Sequence, residues 1–542
     1  MRILNAKRRL PPTAIKLFTS IVICLAITAT AFANGDGKSR QRAREALRSG
    51  DYESAEKQYR EALAKDAHDI EARLGLSYAL LKQRLLQDAY DHAARVILSD
   101  PLSARAHALL GATILASGDF HNSVEEFRTA LSIQENEALA ICGLAMVDFY
   151  ENRLESAMKG LRRAVSLDAS EPDYVFNLGQ AAARSERYKE AADSYERFLA
   201  IAPKTDTDRR NRIRGLIDFL RYLGRQGSLY GLAGESKTVM PFESLDGRPI
   251  LKVRVNNGHE PLRFVLDTGS GMSVVSEETA KKLGLRSVAR GGLARAVGGG
   301  GKFEIVYGFL NSLDLGGVRV ESVPVYIRHF YDEKTPVDGY IGLSVISKFI
   351  ASVDYGDNLF TLRRPAEANV SDLWGGPISR NGATPLAAGV LEIPLRTTSS
   401  GFLSGEVHLE GVEKPLNFII DTGASVTVVS EKLAVEEDLN SYLEPTRMRI
   451  FGAAGIAEDV KSLMLPKVML GTFTREKISA AVLDLEPVNE TAGFTQNGIL
   501  GGNYLRHFRV SFDFQRGLIR LEPLGKKAKG PDAARPEEHL YQ

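Results

Sequence analysis

PLRFVLDTGSGMSVVSEETAKKLGL at residues 261–285 and PLNFIIDTGASVTVVSEKLAVEEDL at residues 415–439 are two versions of one segment. In each, an apolar strand (FVL, FII) runs into Asp-Thr-Gly, followed by a second apolar strand and a short helix. Farther along, DGYIGLSVISKFIASVDY (338–355) matches NGILGGNYLRHFRVSFDF (497–514). From Ser228 onward, short β-branched runs broken by glycine pairs predict an all-β region. The spacing of the two parts is nearly equal in both copies. A β-rich lobe therefore occurs twice, over about 239–365 and 388–523, joined by a linker at 366–387 that holds Trp374-Gly375-Gly376-Pro377.

The chemistry of such a pair is specific. An Asp directly after a buried strand is held near the interior at a tight turn, and Gly269 and Gly423, lacking a Cβ, let two such turns approach closely. Two carboxyls brought together cannot both ionise easily, so they share one proton. The ionised member can then act as general base on water while the protonated one hydrogen-bonds a peptide carbonyl. No cofactor or metal is required. The copies differ at the next residue, Ser270 against Ala424. A serine hydroxyl can favour a charged neighbour, so Asp267 is expected to carry the negative charge and Asp421 the proton.

These motifs resemble the retropepsin-like aspartyl proteases, here as two tandem copies over roughly Val239 to Pro523. The resemblance implies Asp267 and Asp421 as the catalytic pair, with Thr268 and Thr422 hydrogen-bonded across the two turns. It also implies that Ile341-Gly342 and Leu500-Gly501 support the aspartate loops. The Gly-rich hairpins around Gly298–Gly301 and Gly452–Gly455 would be flaps over an extended polypeptide substrate.

Upstream, the texture is helical and repetitive. Ala55, Ala89, Ser123, Ala157 and Ala191 recur every 34 residues, as do Leu76, Leu110, Leu144 and Leu178. Turn signals such as Gly50-Asp51-Tyr52 and Gly118-Asp119-Phe120 keep the same step. Small residues at fixed places let paired helices pack closely. The period resembles tetratricopeptide repeats, about five units within 38–224, with the helix at 209–223 expected as a cap. The resemblance implies an α-solenoid with a groove for a partner protein; a spacer or dimerisation arm is the alternative. The fold class expected is thus multidomain α + β: a helical solenoid followed by two all-β lobes.

Charge and composition narrow the rest. The 542 residues carry 69 Lys+Arg against 68 Asp+Glu, a net +1, which leaves no basic excess for nucleic acid. Basic residues from Arg2 to Lys16, the apolar run LFTSIVICLAITATAFA and Ala31-Phe32-Ala33 read as a signal peptide cleaved near Ala33. Export to the periplasm or outside is expected; an uncleaved segment would anchor the chain to a membrane. Removal of Cys24 would leave Cys142 alone, which excludes an internal disulfide and fits a buried, inert thiol. Gly298–Lys302 lacks the first glycine and the Ser/Thr of a phosphate loop. Asp354 and Asp513 recur without a Thr-Gly turn and are expected at the surface or in pairing. Asp338 and Asn497 are expected to form turns before glycine, and residues 525–542 a disordered tail. The expected function is an exported aspartic endopeptidase using Asp267 and Asp421. The alternative is a non-catalytic peptide-binding or protein-binding scaffold, and the lobes could also pair between molecules.

Overall fold

The computed structural model describes residues 39–299, 302–332, 335–365 and 389–524. The expected signal segment, the linker with Trp374 and the polar tail lie outside them. The chain divides into two compact units, one drawn mainly from residues up to Arg210 and the other mainly from Asn211 onward.

The first unit is a stack of helix pairs. A helix described over 39–49 (α1) pairs with α2 (Tyr52–Lys65), followed by α3 (Ile70–Lys82) with α4 (Leu86–Ser99) and α5 (Ala104–Ser117) with α6 (Phe120–Ile133). Then come α7 (Ala138–Tyr150) with α8 (Leu154–Leu167) and α9 (Pro172–Arg184) with α10 (Tyr188–Ile201). The repeated turn has a local cause. Gly50 and Gly118 take positive φ (76° and 98°), and Asp51 and Asp119 then cap the next helix by accepting the Ser54 and Asn122 N–H groups, both at 3.0 Å. The periodic small residues Ala55, Ala89, Ser123, Ala157 and Ala191 are all sealed from water. Cys142 of α7 is buried, and burial pushes its thiol up to about 12, as expected of an inert sulfur.

Side chains of the first helices also meet across the array. Tyr78 and Lys82 of α3 reach Glu171, at the start of α9, at 2.8 and 3.2 Å. Lys82 also pairs with Asp173, which takes Arg209 at 2.9 Å. The second and fifth helix pairs are therefore tied by an ion network.

The second unit opens with most of α11 (Thr207–Leu223). This is the helix expected as a cap on the array. Its Phe219 and Leu223, one turn apart on one face, are instead buried in the core of the β-rich unit, and Phe219 stacks on Tyr307 at 4.1 Å between ring centroids.

Three sheets follow. The first lobe builds a nine-stranded sheet in the order β1-β9-β6-β10-β5-β4-β8-β7, with β3 on β4. Its strands are β1 (Gly231–Gly234), β3 (Glu243–Leu245), β4 (Arg248–Val255), β5 (Leu262–Leu266), β6 (Ser273–Ser276), β7 (Ala289–Arg295), β8 (Lys302–Leu315), β9 (Val318–Arg328) and β10 (Gly339–Ile341). The second lobe repeats the plan with β14 (Arg396–Thr397), β15 (Leu403–Leu409), β16 (Leu416–Ile420), β17 (Thr427–Ser430), β18 (Leu443–Gly452), β19 (Gly455–Leu470), β20 (Phe473–Leu483) and β21 (Gly498–Leu500). In each copy the strand before the aspartate lies inside the sheet and pairs in parallel with the apolar-Gly strand, β5 with β10 and β16 with β21. That is why FVL and FII are continuous apolar runs: both faces are covered.

A third sheet joins the lobes. It runs β13 (Leu391–Pro394), β23 (Leu518–Pro523), β22 (Phe508–Asp513), β11 (Ile350–Asp354), β12 (Leu359–Arg363) and β2 (Lys237–Pro241). Strand β11 of the first copy pairs antiparallel with β22 of the second, from Ile350 opposite Asp513 to Asp354 opposite Arg509. The lobes are thus paired within one chain, and their apolar side chains form one contiguous core. The first copy also begins earlier than Val239: β1 and the start of β2 lie upstream, in a Gly- and Ser-rich stretch too short to carry an alternation signal.

The recurrent aspartates close this sheet. Asp354 and Asp513 are buried, not at the surface, and each accepts two backbone N–H groups of the turn that follows: Gly356 and Asp357, Gln515 and Arg516. Asp354 also takes both Nε and Nη2 of Arg509, at 2.9 and 2.6 Å across the lobes. Burial raises its carboxyl, but the Arg509 hydrogen bonds and the turn N–H groups outweigh this and hold it below the usual range. A carboxyl depressed in the folded state contributes stability above its unfolded pKa and loses it as pH falls through the folded value. Arg509→Ala is expected to cost about 1–2 kcal/mol at pH 7, since the guanidinium is part-exposed and screened. In urea melts the deficit should shrink below pH 4; a deficit that is constant with pH would remove Asp354 from the account.

Candidate active site

The two Asp-Thr-Gly turns meet where the lobes face each other. Asp267 donates its backbone N–H to the Ile341 carbonyl at 3.0 Å, and Asp421 donates to Leu500 at 3.1 Å. The parallel strand pairs of the fold therefore end by fixing each aspartate. Main-chain bonds then pin the loops from below. Leu343 and Ser344 donate to the Ser270 and Gly271 carbonyls, and Gly502 and Asn503 donate to Ala424 and Ser425, all at 2.7–3.0 Å. Gly342 and Gly501 must be glycine here, since a Cβ would come within 2.6 Å of Met272 and 2.5 Å of Val426 main-chain atoms.

Thr268 and Thr422 lock the turns reciprocally. The Thr268 hydroxyl donates to the Ile420 carbonyl at 2.7 Å and accepts the Thr422 N–H at 3.1 Å. The Thr422 hydroxyl does the same toward Leu266 and the Thr268 N–H, again at 2.7 and 3.1 Å. Both threonines are fully buried. Glycine is again forced, for a Cβ on Gly269 would lie 2.3 Å from the Asp421 carboxyl carbon, and one on Gly423 would lie 2.7 Å from an Asp267 oxygen. Asp267 and Asp421 are thereby brought together, each carboxyl lying against the glycine of the opposite turn.

The surroundings of the two carboxyls differ. Burial lifts both carboxyls, and the Asp421 charge lifts Asp267 further, well above the usual range. Asp421 is raised less, because it accepts the Gly423 N–H at 2.7 Å, the Asp267 hydrogen bond and the Ala424 N–H at 3.2 Å. Asp267 accepts the Gly269 N–H at 2.9 Å. The additional backbone donor favours the charged form at Asp421. The Ser270 hydroxyl, which was expected to stabilise a charged Asp267, donates to the Met272 carbonyl at 2.7 Å. A buried pair holding one proton can withdraw a proton at one oxygen while donating one at another.

The Gly-rich hairpins lie against each other. Gly298 and Gly299, both at positive φ, abut Gly452 and Gly455, and a Cβ on Gly452 would fall 2.1 Å from the Val297 carbonyl oxygen. Gly298 and Gly299, the described glycines of the segment resembling a phosphate loop, therefore lie against the opposite hairpin.

Two features escaped the sequence reading. Asp338 and Asn497 do more than turn the chain: Asp338 accepts the Arg263 N–H at 2.8 Å and the Thr279 hydroxyl at 2.7 Å, and Asn497 accepts the Asn417 N–H at 3.1 Å. Each clamps the strand four residues before its aspartate. Their shared position in the two copies was the available signal. The other is Arg328, at the end of β9, whose charge pulls on Asp267; a lone arginine in a strand gives no such warning.

Thr268→Val preserves shape but strands the buried Thr422 N–H and Ile420 carbonyl. The expected loss is about 2–4 kcal/mol in chemical denaturation; a loss below about 0.5 kcal/mol would mean water replaces the hydroxyl.

Comparison with known proteins agrees with this architecture. A family model described as aspartyl protease matches twice, over residues 251–345 and 405–504. Two tetratricopeptide-repeat models match residues 46–112 and 142–205. Among curated proteins, human tetratricopeptide repeat protein 6 is 23% identical over 158 residues, which cover 29% of this chain and 30% of that protein. The chain thus spans less than a third of the length of that relative. A thermophilic tetratricopeptide-repeat protein of Thermus thermophilus is 19% identical with a TM-score of 0.30, covering 34% of this chain and 99% of its own. MamA is 18% identical with a TM-score of 0.22, covering 31% and 92%. Together, the two lobes and the helix pairs identify a chain that joins tetratricopeptide repeats to two copies of an aspartyl protease domain.

Proposed function

We propose that the chain is an aspartic endopeptidase whose water is activated by Asp421 and Asp267, with the repeats recruiting substrate or a partner. The observation that carries this reading is the half-buried pair of facing carboxyls held by the reciprocal Thr268–Thr422 bonds. Charged Asp421 takes a proton from water as its oxygen bonds to the scissile carbonyl carbon. Asp267 gives its proton to the carbonyl oxygen, which yields a neutral gem-diol. Collapse returns a diol proton to Asp267, Asp421 gives its proton to the amide nitrogen, and the C–N bond breaks. The dyad ends as it began. An extended peptide would gain affinity from main-chain pairing with the flap hairpins.

Hydrolysis of casein or a peptide library by the full chain tests this. Asp267→Asn and Asp421→Asn should each lower kcat/KM by about 10²–10⁴-fold. A D267N enzyme as active as wild type at every pH would end the dyad reading, and no cleavage under any condition would leave a binding scaffold. The pH profile should be a bell displaced upward from ordinary carboxylates. Its acid limb marks protonation of Asp421, and its basic limb marks loss of the Asp267 proton. Ser270→Ala should move neither limb, since its hydroxyl serves Met272; a limb shifted by a full unit would restore a direct role for Ser270.

We also propose export, on the strength of the Arg2–Ala33 pattern. Amino-terminal sequencing of the mature protein should begin at Asn34; a chain retained whole in the membrane fraction would favour an anchor.

A further inference from the structure

The cleft is built from two copies of one plan, and at one position beside the dyad the copies carry opposite chemistry. Ser276 caps the helix Glu277–Lys282 and pairs with Arg328; Ser430 caps Glu431–Glu436 and pairs with Leu483. Arg328 and Leu483 are therefore equivalent. Leu483 lies in an apolar cluster with Ile499, against which Val297 of the opposite flap packs. Arg328 lies beside Tyr340, the counterpart of Ile499, with its guanidinium 5.7 Å from that ring and 5.4 Å from the ring of Phe330. Its Nη1 donates to the Ala453 carbonyl, at the tip of the opposite flap, at 2.9 Å.

Arg328 is half-buried, yet no carboxylate among the described residues forms an ion pair with it. One main-chain carbonyl engages one of its five N–H groups. Among the described carboxyls, Asp267 of the pair acts on this guanidinium, but without an ion pair, so much of its desolvation is not offset. The aromatic faces of Phe330 and Tyr340 fix the plane of the fork, and a planar fork matches a carboxylate. Tyr340 directly precedes Ile341, whose carbonyl anchors Asp267, so this fork stands next to the reacting centre.

We propose that Arg328 is a specificity residue that selects a peptide with a Glu or Asp side chain on the first-lobe side of the scissile bond, opposite an apolar subsite at Leu483. This deepens the endopeptidase reading and rests on it.

The test uses the full chain and internally quenched peptides, amidated at the carboxyl terminus and matched as Glu/Gln pairs at each position. Wild type should favour Glu by tenfold or more in kcat/KM at one position. In Arg328→Gln that ratio should fall to about one, in Arg328→Lys it should partly return, and in Arg328→Glu a Lys peptide should be preferred. A ratio near one in wild type, or an unchanged ratio in R328Q, overturns the proposal. A preference seen only with free-acid peptides would assign the fork to a chain terminus and overturn the side-chain assignment. Fluorescence anisotropy with the D421N protein separates this from the hydrolytic reading. If wild type cleaves nothing, tighter binding of the Glu peptide that is lost in R328Q/D421N still supports the fork, and equal binding of Glu and Gln peptides removes it.

Discussion

Everything near the dyad depends on four hydrogen bonds between Thr268 and Thr422 and the strands that lead to them. Each hydroxyl spends its proton on the other lobe's carbonyl and its lone pair on the other lobe's N–H. No donor or acceptor in the set is left over, which is the condition under which a buried polar network stabilises rather than costs. The arrangement is satisfiable only when both copies are present. One lobe alone would leave a threonine hydroxyl, an N–H and a carbonyl without these partners. The duplication is thus a structural requirement met inside one chain, and the sheet that pairs β11 with β22 holds the two copies in the register the threonines need.

The same geometry explains the glycines. With the turns locked together, the position facing each carboxyl has no room for a Cβ. What appears in the sequence as a short tripeptide is the consequence of three separate constraints: a carboxyl at a strand end, a hydroxyl that bonds across, and an empty volume for the opposing carboxyl.

Much of this was legible from residues alone, for identifiable reasons. Duplicated motifs flanked by apolar runs announced two lobes, and a fixed 34-residue step announced helix pairs, because both patterns are repeated burial constraints. The misreadings have one cause in common: they concern where a side chain points once neighbours from distant segments arrive. Ser270 was expected to face its aspartate but is turned by the Met272 carbonyl. Of the two places expected for Asp354, the pairing with Arg509 is found and the surface position is not, because two turn amides and Arg509 hold it inside. The apolar side chains of the helix at 209–223 fit a repeat as well as they fit the β-rich core, and Phe219 found Tyr307.

Symmetry also sets a limit that the sequence copies break. Two identical lobes would present two identical carboxyls, and no feature would decide which one keeps the proton. Here the decision rests on backbone donors: Asp421 accepts the N–H groups of both Gly423 and Ala424, which favours charge on that side. Arg328 opposes this by drawing Asp267 down, yet desolvation and the facing charge of Asp421 prevail, and Asp267, like Asp421, remains raised. The positive charge beside the pair thus acts on Asp267 without cancelling its upward shift. It does make one flank of the cleft unlike the other, because the equivalent place across the pseudo-dyad is filled by Leu483 within an apolar cluster. A peptide lying across two such flanks, as proposed, would meet a different environment on each side, so its chain direction could be read even though the two Asp-Thr-Gly turns are nearly the same.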